Sequence, residues 1–473
     1  MSNKEGSSSH AVSQQGNPSF SICFTCIYTL LPFVFMSISE IHVEEREPIL
    51  PRTVKILLDF VDRRQDKDKF SSIFEVPRRL REVNPSSFTP RVVSIGPLHK
   101  GRENLKLMED KKASFLHEFL TGVPGSREET LKKCDEQVRG SVDKIRRCYF
   151  GMKPYSEDEL VQMMVMDACF ILQFIDNLSK SGDQHSENRL RSRSVALDLV
   201  LLENQIPFFV LRDIYELTFK TLESKPSLNT MLLNLLERVN PFFEKLKVED
   251  LSGEEDPYHI LGFLHDFYQI KNSKPPGIEE LPRAHSAVEL HEVGVRFRPN
   301  ENETPNENRT WIMAMAFEQS SHKPTLRMPK VLIDNFFEVA LRNLIAYEQY
   351  STPVRNYVTS YAMAMDMLAA TPADIARLGK SGVIVNHLGS NEKASNMISS
   401  ICKDVTFLDF YYIESWNEAK KYYDSYWSKN IGVLKRKYFS TPWKAIALLA
   451  GIILFLIAVV QFVFRVIKFT SLR

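Results

Sequence analysis

Two carboxylates set inside apolar stretches are the residues with most capacity for chemistry. Asp167 lies in "MMVMDACFILQFIDNL" (Met163 to Leu178), and Glu203 in "VALDLVLLENQIPFFVLRDIYEL" (Val195 to Leu217), followed directly by Asn204 and Gln205. Burial disfavours a charged carboxylate and raises its pKa toward neutrality, which suits a general acid or base. The competing expectation is structural. Buried polar groups must find hydrogen-bond partners, and the backbone freed at a helix break supplies them.

A second candidate is "SIGPLHKG", Ser94 to Gly101, with glycines at 96 and 101 and Lys100 between them. A nucleotide P-loop wraps phosphates with consecutive backbone N–H groups and needs its lysine and a hydroxyl after the last glycine. Here the lysine precedes that glycine, Arg102 and Glu103 follow it, and Pro97 removes one N–H. A turn between an extended segment and a helix is the expected outcome.

Histidines offer little for a metal. His285 and His291, with Glu292 beside the second, are six apart rather than the four that puts two ligands on one helix face; His259 and His265 share that spacing without a third ligand. The six cysteines are too few and scattered for a disulfide framework, so Cys134, Cys148, Cys169 and Cys402 are expected to be reduced. Cys23 and Cys26 have C-x-x-C spacing but sit in an apolar run rather than after a thioredoxin-type strand. No G-x-S-x-G elbow, G-x-G-x-x-G fingerprint or recognised catalytic-cysteine signature occurs. No catalytic, cofactor-binding or metal residue is therefore assigned.

The elements that must position these residues are mostly helical. Met108, Lys112, Phe115 and Phe119, with Leu116 and Leu120, form one stripe at helical spacing. Met163 to Leu178 is apolar nearly all round and belongs in the centre of a helical core. Pro207 is expected to end or kink the next helix near Ile206, leaving Glu203 to Gln205 at the break. Beyond a polar connection from Asp250 to Pro282, which holds a possible short helix at His259 to Ile270, the period changes to two. Val293 to Phe297, Trp311 to Phe317 and Thr325 to Pro329 then read as strands of a small antiparallel sheet with a solvated loop at Pro299 to Thr310. Helical patterning returns after Asp334, a predicted N-cap, and continues through Tyr357 to Thr371, the region of Met397 to Phe410, and Tyr411 to Tyr438.

Composition narrows the class. In 473 residues, 60 Lys plus Arg nearly balance 59 Asp plus Glu, which lacks the basic excess of a nucleic-acid binder. Ala445 to Phe464 is twenty uncharged residues, enough at about 1.5 Å per residue to cross a hydrocarbon core of roughly 30 Å. Trp443, Lys444 and Arg465 bracket it. Phe20 to Ser39 is a second uncharged run, broken by Pro32, and leaves three readings open: a signal sequence, a second span, or an upstream extension before a start at Met36. Arg78, Arg79 and Arg81 form a local positive cluster; Lys429, Lys435, Arg436, Lys437 and Lys444 lie close before the C-terminal span, where cations meet anionic lipid.

The stretches "VPRRLREVNPSSFTPRVVSIGPLHKG", "MDACFILQF", "DLVLLENQIPFFVL", "AVELHEVGVRF", "LRNLIAYEQ" and "YVTSYAMAMDMLAA", in that order before one hydrophobic span, resemble the plant family known as domain of unknown function 247, from about Glu44 onward. The resemblance implies a plant source, a mainly helical fold and a C-terminal membrane anchor, and it supplies no catalytic residues. Some family members are associated with self-incompatibility recognition in grasses, which implies a recognition or signalling role. Residues before about Met36 depart from the family pattern.

The expected architecture is mainly α: an N-terminal extension (1–43), a helical lobe (44–250), a connection (251–282), an α+β lobe (283–438), a transmembrane helix (443–466) and a short tail (467–473). The expected function is a membrane-anchored recognition or signalling module acting through an unknown protein partner without catalysis; the alternative is a membrane-bound enzyme centred on Asp167 and Glu203. Membrane lipid, through Ala445 to Phe464 and the flanking basic segment, is the other expected partner. Cations are denser before the span than after it, which predicts a cytosolic domain on a tail anchor in the plasma membrane or an endomembrane. Three N-x-[S/T] sequons, at Asn177, Asn302 and Asn308, point the other way, since a cleaved signal at Phe20 to Ser39 would make them glycan acceptors.

Overall fold

The computed structural model describes residues 53–54, 72–180, 186–222, 224–251, 256–270, 276, 285–300, 311–319, 324–351, 354–425, 430 and 442–470. The chain divides into two units, Met1–Val61 and Asp62–Arg473, and the account below concerns the second. The run Phe20 to Ser39, Met36, Cys23 and Cys26, the sequons at Asn302 and Asn308, most of the loop after Pro299, and the basic residues Lys429, Lys435, Arg436 and Lys437 lie outside the described residues.

The first half is a helical assembly. A two-residue strand β1 (Ile73–Phe74) leads into α1 (Arg78–Val83), a 3-10 turn at Pro85–Phe88, α2 (Lys106–Gly122), α3 (Arg127–Arg139) and α4 (Val142–Arg147). Then β2 (Tyr149–Phe150) pairs parallel with β1, and α5 (Glu157–Lys180) follows. As its all-round apolar pattern predicts, α5 is buried on every side, with Leu160, Met164, Ala168, Cys169, Ile171 and Ile175 all fully enclosed. It packs against α2, α3, α7 (Phe208–Leu217) and α8 (Leu228–Leu236).

Between α6 (Ser186–Asp198) and α7 the structure departs from expectation. The helix stops at Asp198 rather than near Ile206, so nine residues, 199–207, run irregularly through the core before Pro207 opens α7. Proline suits that position because its missing N–H would be unsatisfied there in any case.

The second half is built around α11 (Asn335–Tyr350), reached through α9 (Ile260–Asp266), α10 (Ala287–Glu292) and the strands. Asp334 caps α11 as predicted, its Oδ1 accepting from the Phe336 and Phe337 N–H groups at 2.9 Å. The small sheet is present with the order β3 (Arg296–Pro299), β5 (Thr325–Met328), β4 (Ala316–Glu318). Only β4 and β5 pair antiparallel; β3 and β5 run parallel, as do β6 (Val331–Ile333) and β7 (Ile384–Asn386). Trp311 to Met315 alternates as a strand would, yet it is a turn that seats Trp311 on Tyr412 (ring centroids 5.2 Å) and places strand structure only at 316–318. The remaining helices are α12 (Tyr357–Leu368), α13 (Pro372–Lys380), α14 (Asn391–Ile401), α15 (Ile413–Asp424) and α16 (Pro442–Thr470). The fold is thus mainly α with a small β element, and α16 is one helix long and apolar enough to cross a membrane, over Pro442–Arg465.

Candidate functional site

The two carboxylates flank the Ser94–Gly101 turn and both belong to one polar network laid through the core. Asp167 is 1 % exposed. Its Oδ2 accepts from the Gly96 N–H (2.7 Å) and its Oδ1 from Lys112 Nζ (2.5 Å), a lysine as deeply buried as itself. Lys112 also donates to the Ser94 carbonyl (2.5 Å) and pairs with Glu109 (2.5 Å). Burial opposes the Lys112 charge, but the two carboxylates outweigh it and hold the ammonium above its ordinary value. Burial pushes the Asp167 carboxyl up, further than Lys112 and the Gly96 amide pull it down.

Glu203, 2 % exposed, faces the other way. Its Oε1 accepts from the Val76 N–H (2.5 Å) and from Arg81, and its Oε2 stands 3.1 Å from His99 Nε2. Burial acts to raise the Glu203 carboxyl, and His99, Arg81 and the Val76 amide together bring it below its ordinary value. His99 is itself 1 % exposed, and its Nδ1 has no hydrogen-bond partner. The neighbouring amides tie the irregular segments together. Asn204 accepts from the Ile95 N–H (2.7 Å) and donates to the Val93 and Asp198 carbonyls (3.0 and 2.9 Å); Gln205 donates to the carbonyls of Leu199 and Leu201 (2.7 and 2.8 Å).

Three further buried polar residues, the last of them apart from this network, carry no local sequence signal. Asp198 accepts from the backbone N–H groups of Arg91, Val92 and Val93 (3.0, 2.6 and 2.9 Å), and burial pushes its carboxyl up to about 6 despite them. Asn343 on α11 accepts from the Leu202 N–H (2.9 Å) and donates to the Ser87 carbonyl (2.7 Å). Glu348 accepts from the Val358 and Thr359 N–H groups (2.7 Å each) and lies 2.8 Å from His265 Nε2. Lys112 is different: a lysine in an otherwise apolar helical stripe is an anomaly visible in sequence.

These contacts also decide the turn. Gly96 (φ +69°) and Gly101 (φ +82°) take the left-handed conformation that glycine tolerates, and the Ile95 and Gly96 N–H groups point at Asn204 and Asp167. Two of the donors a phosphate cradle would use are thus already bonded within the protein.

The remaining candidates are dispersed. His259 caps α9, its Nδ1 accepting from the Gly262 N–H (2.9 Å), while Nε2 meets the Ser72 carbonyl (3.1 Å); burial pushes its pKa down to about 3, so the ring is neutral. His285 stacks on Tyr423 (3.8 Å), whereas His291 Nδ1 meets the Val295 carbonyl (3.4 Å). Among the described residues no group of three or more His, Cys, Asp or Glu is placed to hold a metal ion. The arginine cluster splits up: Arg78 pairs with Glu82 on the surface, Arg79 reaches the Tyr350 and Thr406 hydroxyls (3.1 and 3.2 Å), and Arg81 turns inward to Glu203. An open cleft of about 710 Å³ lies beside α2 and α5, lined by His117, Asp176, Lys180, Phe219 and Lys225 among others. Asp176 pairs there with both Lys180 (2.7 Å) and Lys225, one carboxylate against two ammonium groups.

The family DUF247, described as a plant protein of unknown function, matches residues 73–457. A UPF0481 protein of Arabidopsis thaliana is 28 % identical over 441 residues, covering 84 % of this chain and 87 % of that one. A second, a putative UPF0481 protein of the same plant, is 25 % identical over 484 residues, covering 82 % and 89 %. No solved structure matches the chain.

Proposed function

The chain belongs to the plant DUF247 family, whose function is unknown, and from that premise we propose that it is a membrane-anchored recognition or signalling module that acts through protein–protein contact rather than catalysis. One observation carries the reading. Asp167 and Glu203, the carboxylates best suited to acid–base work, are sealed from solvent and direct their oxygens at backbone N–H groups, Lys112, Arg81 and His99. A general base needs reach to a substrate proton, whereas these groups hold irregular backbone in place.

The anchor is α16, whose apolar side chains, Leu454, Phe455, Phe462 and Phe464 among them, are exposed along the whole span. Membrane lipid is their partner, helped by the basic residues before it. Lys435, Arg436, Lys437 and Lys444 outnumber the cations after the span, which favours a cytosolic domain. Asn177 does not oppose that side: it is within α5, its amide donating to Glu118 (3.2 Å) and accepting from Gln173 (2.9 Å).

The enzyme reading, with Asp167 and Glu203 as acid and base, is the alternative. Replacing Glu203 with Gln separates the two in a plant phenotype assay run beside a thermal melt. On the module reading, loss of phenotype follows loss of stability; a null phenotype with an unchanged melt sinks it. Protease treatment of sealed microsomes tests orientation, and a protected helical domain would refute the cytosolic placement.

A further inference from the structure

The cleft of about 710 Å³ beside α2 and α5 has the volume of a small-molecule site. Two of its walls are the C-terminal parts of α2, with Glu118, and of α5, with Asp176 and Lys180. The third is the connection from α7 to α8, with Leu222, Lys225 and Pro226.

Asp176 is buried at the centre, its Oδ1 accepting from Lys225 and its Oδ2 pairing with Lys180 at 2.7 Å. Burial acts to raise its carboxyl, and the two lysines together bring it below its ordinary value, so it carries its charge. An ammonium has three N–H donors. Asp176 accepts one from each lysine, and among the described residues no other acceptor is bonded to either. Lys225 is fixed in place: its side chain is only 12 % exposed, and its ammonium stands 4.5 Å from the centre of the Phe219 ring. With that ring and Asp176 on two sides, its remaining donors open on the cleft that it lines. Lys180, 65 % exposed, stands at the mouth.

Two cations held on one carboxylate repel each other, and a second anion between them relieves that repulsion. A charge-assisted hydrogen bond to an ionised acceptor is also stronger than one to a neutral group. The rest of the lining limits how much charge a guest can bring. Glu118 is exposed and accepts from Asn177 (3.2 Å), so acidic and basic side chains are equal in number around the cleft. A single carboxylate suits the two ammonium groups, whereas a phosphate dianion would set two more negative charges beside Asp176 and Glu118. Leu222 and Pro226 offer an apolar surface next to Lys225.

We propose that this cleft binds a small organic acid, its carboxylate accepting from Lys225 and Lys180 and its apolar body lying on Leu222 and Pro226. Full-length protein in detergent micelles is titrated with benzoate, and binding is read from saturation transfer to the ligand protons, with protein-free micelles as the blank. Benzoate should bind saturably. Benzamide, of the same shape without the charge, should bind about ten-fold more weakly or worse, and inorganic phosphate at equal concentration should displace little benzoate. Lys225→Met should weaken benzoate about ten-fold, and Lys180→Met, at an exposed position where folding is not at stake, several-fold. Asp176→Asn frees both ammonium groups and should tighten benzoate several-fold, while Lys133→Met, on the exposed side of α3, should change nothing. Thermal melts of each variant separate lost binding from lost folding. No saturable benzoate binding, benzamide binding as well as benzoate, equal displacement by phosphate, affinity unmoved in both lysine variants, or weaker binding by a normally melting Asp176→Asn would each overturn the site.

Discussion

Glu203 shows how one buried side chain can be mistaken for a catalyst. Its carboxyl is held below its ordinary value, so the folded state favours the ionised form more than the unfolded chain does. The sign follows: this stabilisation is fully present above the unfolded glutamate pKa of about 4.3 and is lost as pH falls through the lower folded value. The melting difference between the parent and Glu203→Gln should therefore be largest at pH 5 and above and shrink below about pH 4; a difference independent of pH would contradict the ionic role. Asn204 carries no charge but bonds one N–H and two carbonyls at zero exposure. Asn204→Ala is expected to cost about 1 to 3 kcal/mol in denaturant unfolding, through polar backbone left without partners. An unchanged midpoint would show that the break holds without it.

At the scale of elements, the turn between β1–α1 and α2 and the break between α6 and α7 define each other. A Cβ added at Gly96 would stand 2.3 Å from the Gln205 carbonyl oxygen, and φ is +69° there. Gly96→Ala combines a backbone clash with left-handed strain and should destabilise by about 3 kcal/mol or more, whereas Gly101→Ala, with φ +82° but open space around it, should show only the strain of about 1 to 2 kcal/mol. Equal effects in parallel melts would remove the close approach as the reason for Gly96. This mutual dependence also explains what the sequence conveyed. Central α5 and the Asp334 cap were legible because their signals are local: an apolar helix on all faces, and an aspartate before an amphipathic run. The start of the break was not, because α6 stops where Asp198 meets the amides of residues 91–93, a contact across more than a hundred residues that no periodicity encodes. Trp311 to Met315 misled for the complementary reason: its residue types alternate, but the adjacent Ile312 and Met313 are both buried in a turn held by the stacking of Trp311 on Tyr412, not by a sheet.

Across the whole molecule the question is whether the expected lobes, 44–250 and 283–438, are separate bodies. Their backbones are directly joined. The Leu332 N–H donates to the Pro241 carbonyl (2.9 Å) and the Phe243 N–H to the Lys330 carbonyl (3.0 Å), while Asn343 of α11 bonds both Ser87 and Leu202. Arg193 adds a pair with Asp334 at 2.9 Å. One cluster of buried apolar residues extends from Ile73 to Ala419 without a break at the connection. Parts that share a core and hydrogen-bonded backbone should unfold together, as a cooperative unit. The tryptophans allow this to be read, since all four, Trp311, Trp416, Trp427 and Trp443, follow residue 282. Tryptophan fluorescence thus reports the second half, and far-ultraviolet circular dichroism reports helices in both. The two thermal transitions should coincide, and Asn204→Ala, in the first half, should shift the tryptophan transition by as many degrees as the helical one. A tryptophan transition that stays in place while part of the helical signal moves would mean that the halves unfold independently and that the contacts through Asn343 and Asp334 do not couple them.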